Sequence, residues 1–446
     1  MMEVFFMAKN NSQALFLHTN KKNPEMTDKN KNYYLLIGYC VILIIIGLLS
    51  EPITILWAGM IRILTSPSNL LTDYIELGTF GSAFVNSGLL TLISVLLAKK
   101  EKIPINGPMI AALFTVSGCS FFGKNLYNSI PIIIGGLCYA KIVKKPFSQF
   151  IVVSLFGSAL SPIISYLTFG ISLPLPLSIP LGCFVGIFIG LILPPLASHI
   201  LTFHQGFSLY NVGFTSGLIA MMFTGILRMF GWKIEGKNLV STAYHSKLLF
   251  FLLFLFFIMF VAGFIINHFS LKGLKDISKT SGKLITDFIS IAGIGATMMN
   301  MALMGLLLVG YTQVSHSTLN GPIVGAILSA VGFSAFGNHL LNSLPLLVSV
   351  FLTAQLSSVF EVNQTTVVLA GIFGTGLAPI AGYYGITFGL IAGFLHMSLV
   401  TNVSYLHGGL NLYNNGFSTG FVAAVMVPLL DNILQIRKVK QHARKR

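Results

Sequence analysis

The sequence predicts an all-α, polytopic integral membrane protein of about fourteen hydrophobic segments, arranged as two inverted repeats of seven. Three observations lead there: an extreme apolar composition, a long self-match, and an uneven placement of lysine and arginine. Of the 446 residues, 54% are hydrophobic and 9% are charged, with a mean hydropathy of +0.83. A soluble chain of that length and composition would expose large contiguous apolar patches. The apolar residues form runs that reach the ~20 residues a helix needs to cross hydrocarbon, at 34–49 extended to 56, at 77–98 and at 248–266. A polar tail precedes the first run and no small-residue cleavage site follows it, so that run is expected to remain as a helix.

The self-match starts at Leu71-Thr72-Asp73-Tyr74-Ile75, which returns 214 positions later as Ile285-Thr286-Asp287-Phe288-Ile289. At the same offset Asn86 meets Asn300, Asn106-Gly107-Pro108 meets Asn320-Gly321-Pro322, Phe122-Gly123 meets Phe336-Gly337, and Asn128-Ser129-Ile130-Pro131 meets Asn342-Ser343-Leu344-Pro345. The offset becomes 217 for Phe156-Gly157 and Pro162 against Phe373-Gly374 and Pro379, then 203 for Gly206 to Phe214 against Gly409 to Phe417. The second copy lacks a Pro-rich insert like Leu173 to Pro180. Duplication within a membrane chain is the usual mark of a transporter or channel.

Segments are expected near 33–55, 75–98, 106–122, 128–143, 148–169, 178–200 and 207–230, and again near 247–268, 286–310, 320–336, 342–360, 365–384, 386–404 and 409–430. The domain layout is then a polar cytoplasmic tail (1–32), repeat 1 (33–232), an inter-repeat loop (233–246), repeat 2 (247–434) and a basic cytoplasmic tail (435–446). An odd number of crossings per copy turns the second copy upside down. Charge supports this, since 21 of the 27 Lys and Arg fall on the expected cytoplasmic side when both termini lie there. The basic loop Lys99 to Lys102 corresponds to 311–317, which has no Lys or Arg, and Lys141 to Lys145 corresponds to 355–361, also without any. Arg62, Arg228, Lys233, Lys237 and Lys247 are expected outside, and Lys124 falls in a turn that either side could hold. The net charge of +15 thus serves orientation and attraction to anionic headgroups rather than nucleic acid.

The third and fourth segments of each copy are short and joined by tight polar turns, 123–129 and 337–343. They are either thin spans or re-entrant hairpins whose tips meet near the midplane at one central site, where irregular backbone needs protein or water around it. On that reading Asn128, Ser129, Asn342 and Ser343 bind solute; on the alternative they are ordinary turn residues. The last segment of each copy opens with His204 and Tyr210-Asn211, or His407 and Tyr413-Asn414. Tyr210, Asn211, Tyr413 and Asn414 are candidates for solute contact at a helix N-terminus, or for interhelical packing. Gly182, Gly186, Gly190, Gly389 and Gly393 read as packing positions.

Asp73 and Asp287, each after a threonine, read as helix N-caps at the interface. No carboxylate is expected at the centre of a span, so ion coupling would rest on carbonyl, Asn and Ser oxygens. His396 sits inside a span and reads as a hydrogen-bonded core residue. Zinc-helix, P-loop, nucleophile-elbow and paired-Asp diphosphate motifs are absent, so neither enzymatic activity nor a cofactor or metal is expected. Cys40, Cys119, Cys138 and Cys183 are scattered through apolar segments as small hydrophobes.

Phe84-Val85-Asn86-Ser87-Gly88-Leu89-Leu90 followed by Gly123-Lys124-Asn125-Leu126-Tyr127-Asn128-Ser129 resembles the half-repeat of bacterial urea transporters. The Asn-Pro of that family is missing here and the Tyr-Gly-x-Asn spacing differs, so no pore residues carry over. Over nearly its whole length the chain resembles an uncharacterised family of bacterial polytopic membrane proteins, a domain of unknown function, which implies no activity. The expected function is transport of a small polar or anionic solute at a site between the repeats, in the cell membrane. A passive channel of the urea-transporter kind and a non-transport membrane role are the alternatives. The expected partners are the solute and the bilayer, and a homo-oligomer is compatible with this reading.

Overall fold

The computed structural model describes residues 29–234 and 236–443. It is all helical: among these residues there is no strand, only one isolated parallel bridge between Thr72 and Leu239. The first half contains α1 (Lys29–Ser50), α2 (Ile53–Leu64), α3 (Tyr74–Leu77), α4 (Phe80–Lys100), α5 (Gly107–Cys119), α6 (Leu126–Ile142), α7 (Ile151–Gly157), α8 (Ser161–Ser165), α9 (Leu175–Ile200) and α10 (Asn211–Met229). The second contains α11 (His245–Ile266), α12 (Leu274–Ser278), α13 (Phe288–Val314), α14 (Gly321–Phe333), α15 (Leu340–Leu356), α16 (Thr365–Gly374), α17 (Ala378–Tyr384), α18 (Ile386–His407) and α19 (Asn414–Ala443). Among the described residues, ten stretches are long and apolar enough to cross a membrane.

Three segments expected as single helices are divided, each for a local reason. Pro52 separates α1 from α2, so the run 33–55 is not continuous. The stretches 151–170 and 365–384 break at Ser158–Leu160 and Thr375–Leu377. Pro162 and Pro379 follow these breaks; a proline offers no N–H, and its ring collides with the carbonyl four residues back. The last helix runs on to Ala443 instead of ending near 430. Residues 1–28 of the expected N-terminal tail lie outside the described residues.

Local capping repeats with the sequence. Asn106 and Asn320 accept hydrogen bonds from the backbone N–H groups of Met109 and Ile323, each at 3.0 Å, opening α5 and α14. Asp73 and Asp287 cap α3 and α13 through Ile75 N–H (2.8 Å) and Ile289 N–H (3.1 Å). Asn125 and His339 form capping boxes with Asn128 and Asn342 at the starts of α6 and α15.

The spans differ in how far they are covered. Spans 32–50, 175–200 and 245–266 are only 22%, 28% and 28% buried, while the broken spans 151–170 and 365–384 are 89% and 83% buried. The former face outward and the latter sit inside. At the centre lie two short helices: every residue of α14, and every residue of α5 except Pro108, is buried. Thirteen residues extend ~20 Å, short of the ~30 Å hydrocarbon core.

The helices α5 and α14 run antiparallel along their whole length. Gly107 abuts Ala335 and Phe336 at one end, and Gly321 abuts Phe121 at the other. Gly118 and Gly325 touch backbone to backbone, so a Cβ on either would strike the other's carbonyl. Other contacts between the halves recur with the halves exchanged. Leu70 N–H donates to Gly409 O (2.9 Å) and Leu284 N–H to Gly206 O (3.0 Å). Leu209 N–H donates to Gly376 O (2.9 Å) and Leu412 N–H to Ala159 O (3.1 Å). Gly321 N–H donates to Asp73 and Gly107 N–H to Asp287, both at 3.0 Å. Each aspartate therefore caps a helix of its own half, α3 or α13, and also holds the first turn of the other half's central helix.

Candidate solute-binding site

Each hairpin tip is tied to the long helix before it. Asn86 on α4 donates to the carbonyls of Ser120 and Lys124, both at 2.8 Å, and Asn300 on α13 donates to those of Ser334 (2.8 Å) and Asn338 (2.9 Å). Both asparagines are buried, and an amide reaching two carbonyls fixes a turn that would otherwise leave them bare in a dry interior. Sequence reasoning aligned these residues without giving them a role. Two carbonyls of a turn lying 34 and 38 positions away leave no local signature.

The expected site residues fall into two groups. Asn128 accepts from Asn125 N–H (2.8 Å) and donates to Gly123 O (2.9 Å) and Ser165 Oγ (2.8 Å). Ser129 Oγ lies 3.0 Å from Ser161 Oγ. In the other half Asn342 accepts from His339 N–H and donates to Gly337 O, both at 2.9 Å, and Ser343 Oγ donates to Asn342 Oδ1 (3.2 Å). These side chains thus build the turns themselves. Asn211 donates to Ala197 O (2.9 Å) and meets His204 Nε2 (3.0 Å), while Asn414 Oδ1 meets His407 Nδ1 (2.6 Å). Both lock the turn that precedes α10 or α19.

The tyrosines differ. Tyr210 and Tyr413 start from adjacent backbone where Gly213 and Gly416 cross. Both phenol oxygens are buried and make no close hydrogen bond among the described residues, Tyr210 facing Thr375 and Tyr413 facing Thr115 and Cys119. Tyr413 reaches Lys124, whose Nζ lies 5.5 Å from the ring centre. Tyr210 packs on Phe333, with ring centres 4.5 Å apart, and against Gly376. Leu412 covers Gly123 at the first tip, and Leu209 covers Gly337 at the second.

The tips consequently do not meet, contrary to the single midplane site expected. Tip 1 lies beside the start of α14 and tip 2 beside the start of α5, at opposite ends of the antiparallel pair. Full overlap of two rigid helices forces this placement. Each tip is closed by the broken span of its own half and by the opening of the last helix of the other half. Asn128, Ser129 and Tyr413 share one cluster; Asn342, Ser343 and Tyr210 share the other.

The residue that sequence reasoning left aside is Lys124. It is fully buried, and its ammonium makes one hydrogen bond, of 3.4 Å, to Leu155 O at the end of α7. No carboxylate forms an ion pair with it among the described residues. Its counterpart Asn338 donates to Thr375 Oγ1 (3.2 Å). The signal that could have found it was a lysine in a turn flanked by apolar helices. His396 is a hydrogen-bonded core residue, with Nδ1 2.9 Å from Ser418 Oγ and Nε2 3.1 Å from Ala370 O. Asp73, in the connection before α4, accepts from three N–H groups, those of Ile75, Ser241 and Gly321. Burial pushes its carboxyl up and these donors pull it back, leaving it raised to about 6. No cluster of three or more His, Cys, Asp or Glu able to hold a metal occurs among the described residues.

Comparison with known families agrees with the duplication. The family model described as "Protein of unknown function (DUF1576)" matches twice, at residues 53–229 and 266–432. The chain belongs to the DUF1576 family. Each match takes in one hairpin, one broken span and one last helix, so the DUF1576 unit carries a full set of the parts that form a cluster. The helix α1, and α11 up to its last residue Ile266, lie outside both matches. No curated protein and no solved structure matches the chain.

Proposed function

We propose that this chain carries a small polar or anionic solute across the cell membrane, as a secondary transporter or facilitator whose site lies between two inverted halves. The observation that carries this reading is the pair of broken spans at the centre of the molecule, each closed by a hairpin tip and by the other half's last helix. Each interruption is a tightened 3-10 turn followed by a proline, which removes an N–H from the helical ladder, and irregular backbone of this kind is tolerated in hydrocarbon only where protein or a water-filled path surrounds it. Inversion is supported by the antiparallel course of the equivalent helices α5 and α14 and by the contrast in charge between equivalent loops. With re-entrant hairpins each half crosses five times, which leaves both termini on the cytoplasmic side. No ion-paired carboxylate stands at the tips, and this favours uncoupled movement, as in a passive channel, as the second reading.

Purified protein in proteoliposomes tests both readings. Flux of a panel of small solutes above that of empty vesicles supports transport, and no flux for any of them refutes it. Accumulation driven by an imposed ion gradient identifies a coupled carrier, whereas equilibration alone identifies a channel.

A further inference from the structure

Half 1 is polar where half 2 is not, and the difference is concentrated along one track. From Lys124 the first residues of α6 meet the broken span at regular intervals: Lys124 at Leu155 O, Ser129 at Ser161 Oγ (3.0 Å), Asn128 at Ser165 Oγ (2.8 Å) and Tyr127 at Thr168 Oγ1 (2.7 Å). The positions in half 2 equivalent to Ser161, Ser165 and Thr168 are Ala378, Gly382 and Gly385, and Tyr127 is matched by Leu341. Just beyond Thr168, residues Phe169 and Gly170 line an open cavity of about 420 Å³ together with Tyr166, Lys233 and Lys237. Tyr166 ties the cavity wall to the loop by donating to Lys233 O (3.2 Å). Lys233 and Lys237 are the basic residues that break the positive-inside pattern, and both are exposed.

A structural account of Lys124 is available but incomplete. A cation at the last carbonyls of α7 complements the helix dipole. Half 2, however, ties its tip to the broken span with the neutral Asn338, at Thr375 Oγ1 instead of a helix carbonyl, so the fold does not require a charge at this position. A buried ammonium with one weak hydrogen bond and no carboxylate partner is costly unless a negative charge arrives to pair with it. Two hydroxyls beside it, Tyr413 OH and Thr115 Oγ1, face each other and make no close hydrogen bond to another group among the described residues.

We infer that the solute is a small monovalent anion, collected by Lys233 and Lys237 at the outer mouth and bound at Lys124 with Tyr413 and Thr115 as neutral donors, along a path lined chiefly by half 1. The inference rests on the transport reading and narrows its substrate class. A single positive charge matches a single negative one, and the close packing around Lys124 limits size to that of formate, nitrate or chloride.

The test uses the full chain in proteoliposomes, with formate, nitrate and chloride as anionic probes and urea and glycerol as neutral ones. The wild type is expected to pass the anions and to exclude the neutral probes. Lys124→Asn, which installs the residue of the equivalent position, should lower anion flux at least tenfold. Lys233→Gln with Lys237→Gln lies on the exposed mouth and leaves the core intact. Anion flux in that variant should fall several-fold at low ionic strength and recover at high salt, where exposed charges are screened. If Lys124→Asn does not fold, the wild-type selectivity and the mouth variant decide. Neutral probes passing as fast as anions would overturn the inference while leaving transport in place. Undiminished anion flux in Lys124→Asn, or in the mouth variant at low salt, would also overturn it. Absence of flux for every probe would remove both this inference and the transport reading.

Discussion

Replacing Gly213 or Gly416 with alanine perturbs the point where the last helices of the two halves cross. A Cβ built on Gly213 falls 3.0 Å from the Cα of Gly416, and one built on Gly416 falls 2.8 Å from the Cα of Gly213. Carbon atoms settle at about 3.5–4.0 Å, so either methyl group must push α10 and α19 apart by roughly 0.5–1 Å. Overpacking of that kind costs about 1–3 kcal/mol. Because the contact is reciprocal, the two single variants should be destabilised to a similar degree. The gap opened by the first methyl accommodates the second, so the double variant is expected within ~1 kcal/mol of the worse single one, a coupling characteristic of residues in direct contact. Tyr210 and Tyr413 stand beside the same crossing, so solute flux should fall in both single variants by similar factors. Thermal unfolding in detergent, followed by a thiol-reactive dye, reads stability directly, because the native cysteines are free and Cys40 and Cys119 are buried. Additive losses, or one silent variant beside one severe one, would refute the reciprocal contact.

Lys102 and His316 occupy equivalent exposed turns, and single cysteines there, in a background lacking the native four, should label from opposite faces of intact cells; labelling from one face defeats inversion. Asp73→Ala strands three buried N–H groups and is expected to cost about 3 kcal/mol or more, whereas Asp287→Ala, at a half-exposed site, should cost about 1 kcal/mol; unfolding midpoints in the reverse order count against the paired clamp. Since the folded carboxyl of Asp73 is raised to about 6, its contribution to stability is fully present below the unfolded value near 4 and is lost as pH rises through 6. Wild-type stability relative to Asp73→Asn should therefore decline over that window, and a flat difference contradicts the burial of the charge. Asn128→Ala and Asn342→Ala should each lower the unfolding midpoint by an amount equivalent to about 1–3 kcal/mol, because their amides close the tips; unchanged midpoints with lost flux would make them ligands instead.

Much of this architecture is legible in the chain because it depends on local rules. Hydropathy sets the spans, Asp73, Asp287, Asn106 and Asn320 announce helix starts, and the shared prolines Pro162 and Pro379 mark the breaks once their effect on helix geometry is considered. The 214-residue repetition foretells paired hairpins, and the 203-residue one paired tyrosines. It also lets Asn338 serve as the internal comparison for Lys124.

What the sequence could not decide is which surfaces meet. The central helices are apolar on every side, and lipid tails are as apolar as a protein interior, so no periodicity distinguishes a buried helix from one facing lipid. That α5 and α14 lie antiparallel at the centre, and that the tips consequently point to opposite ends, follows only from packing between residues two hundred positions apart. The amides of Asn128, Asn211, Asn342 and Asn414 looked available for a solute because their partners, such as Ser165 Oγ and Ala197 O, are assigned by folding. Lys124 shows the converse. In the chain it is one lysine in a turn, and only the tertiary structure removes it from water, sets Tyr413 beside it and leaves its charge unanswered.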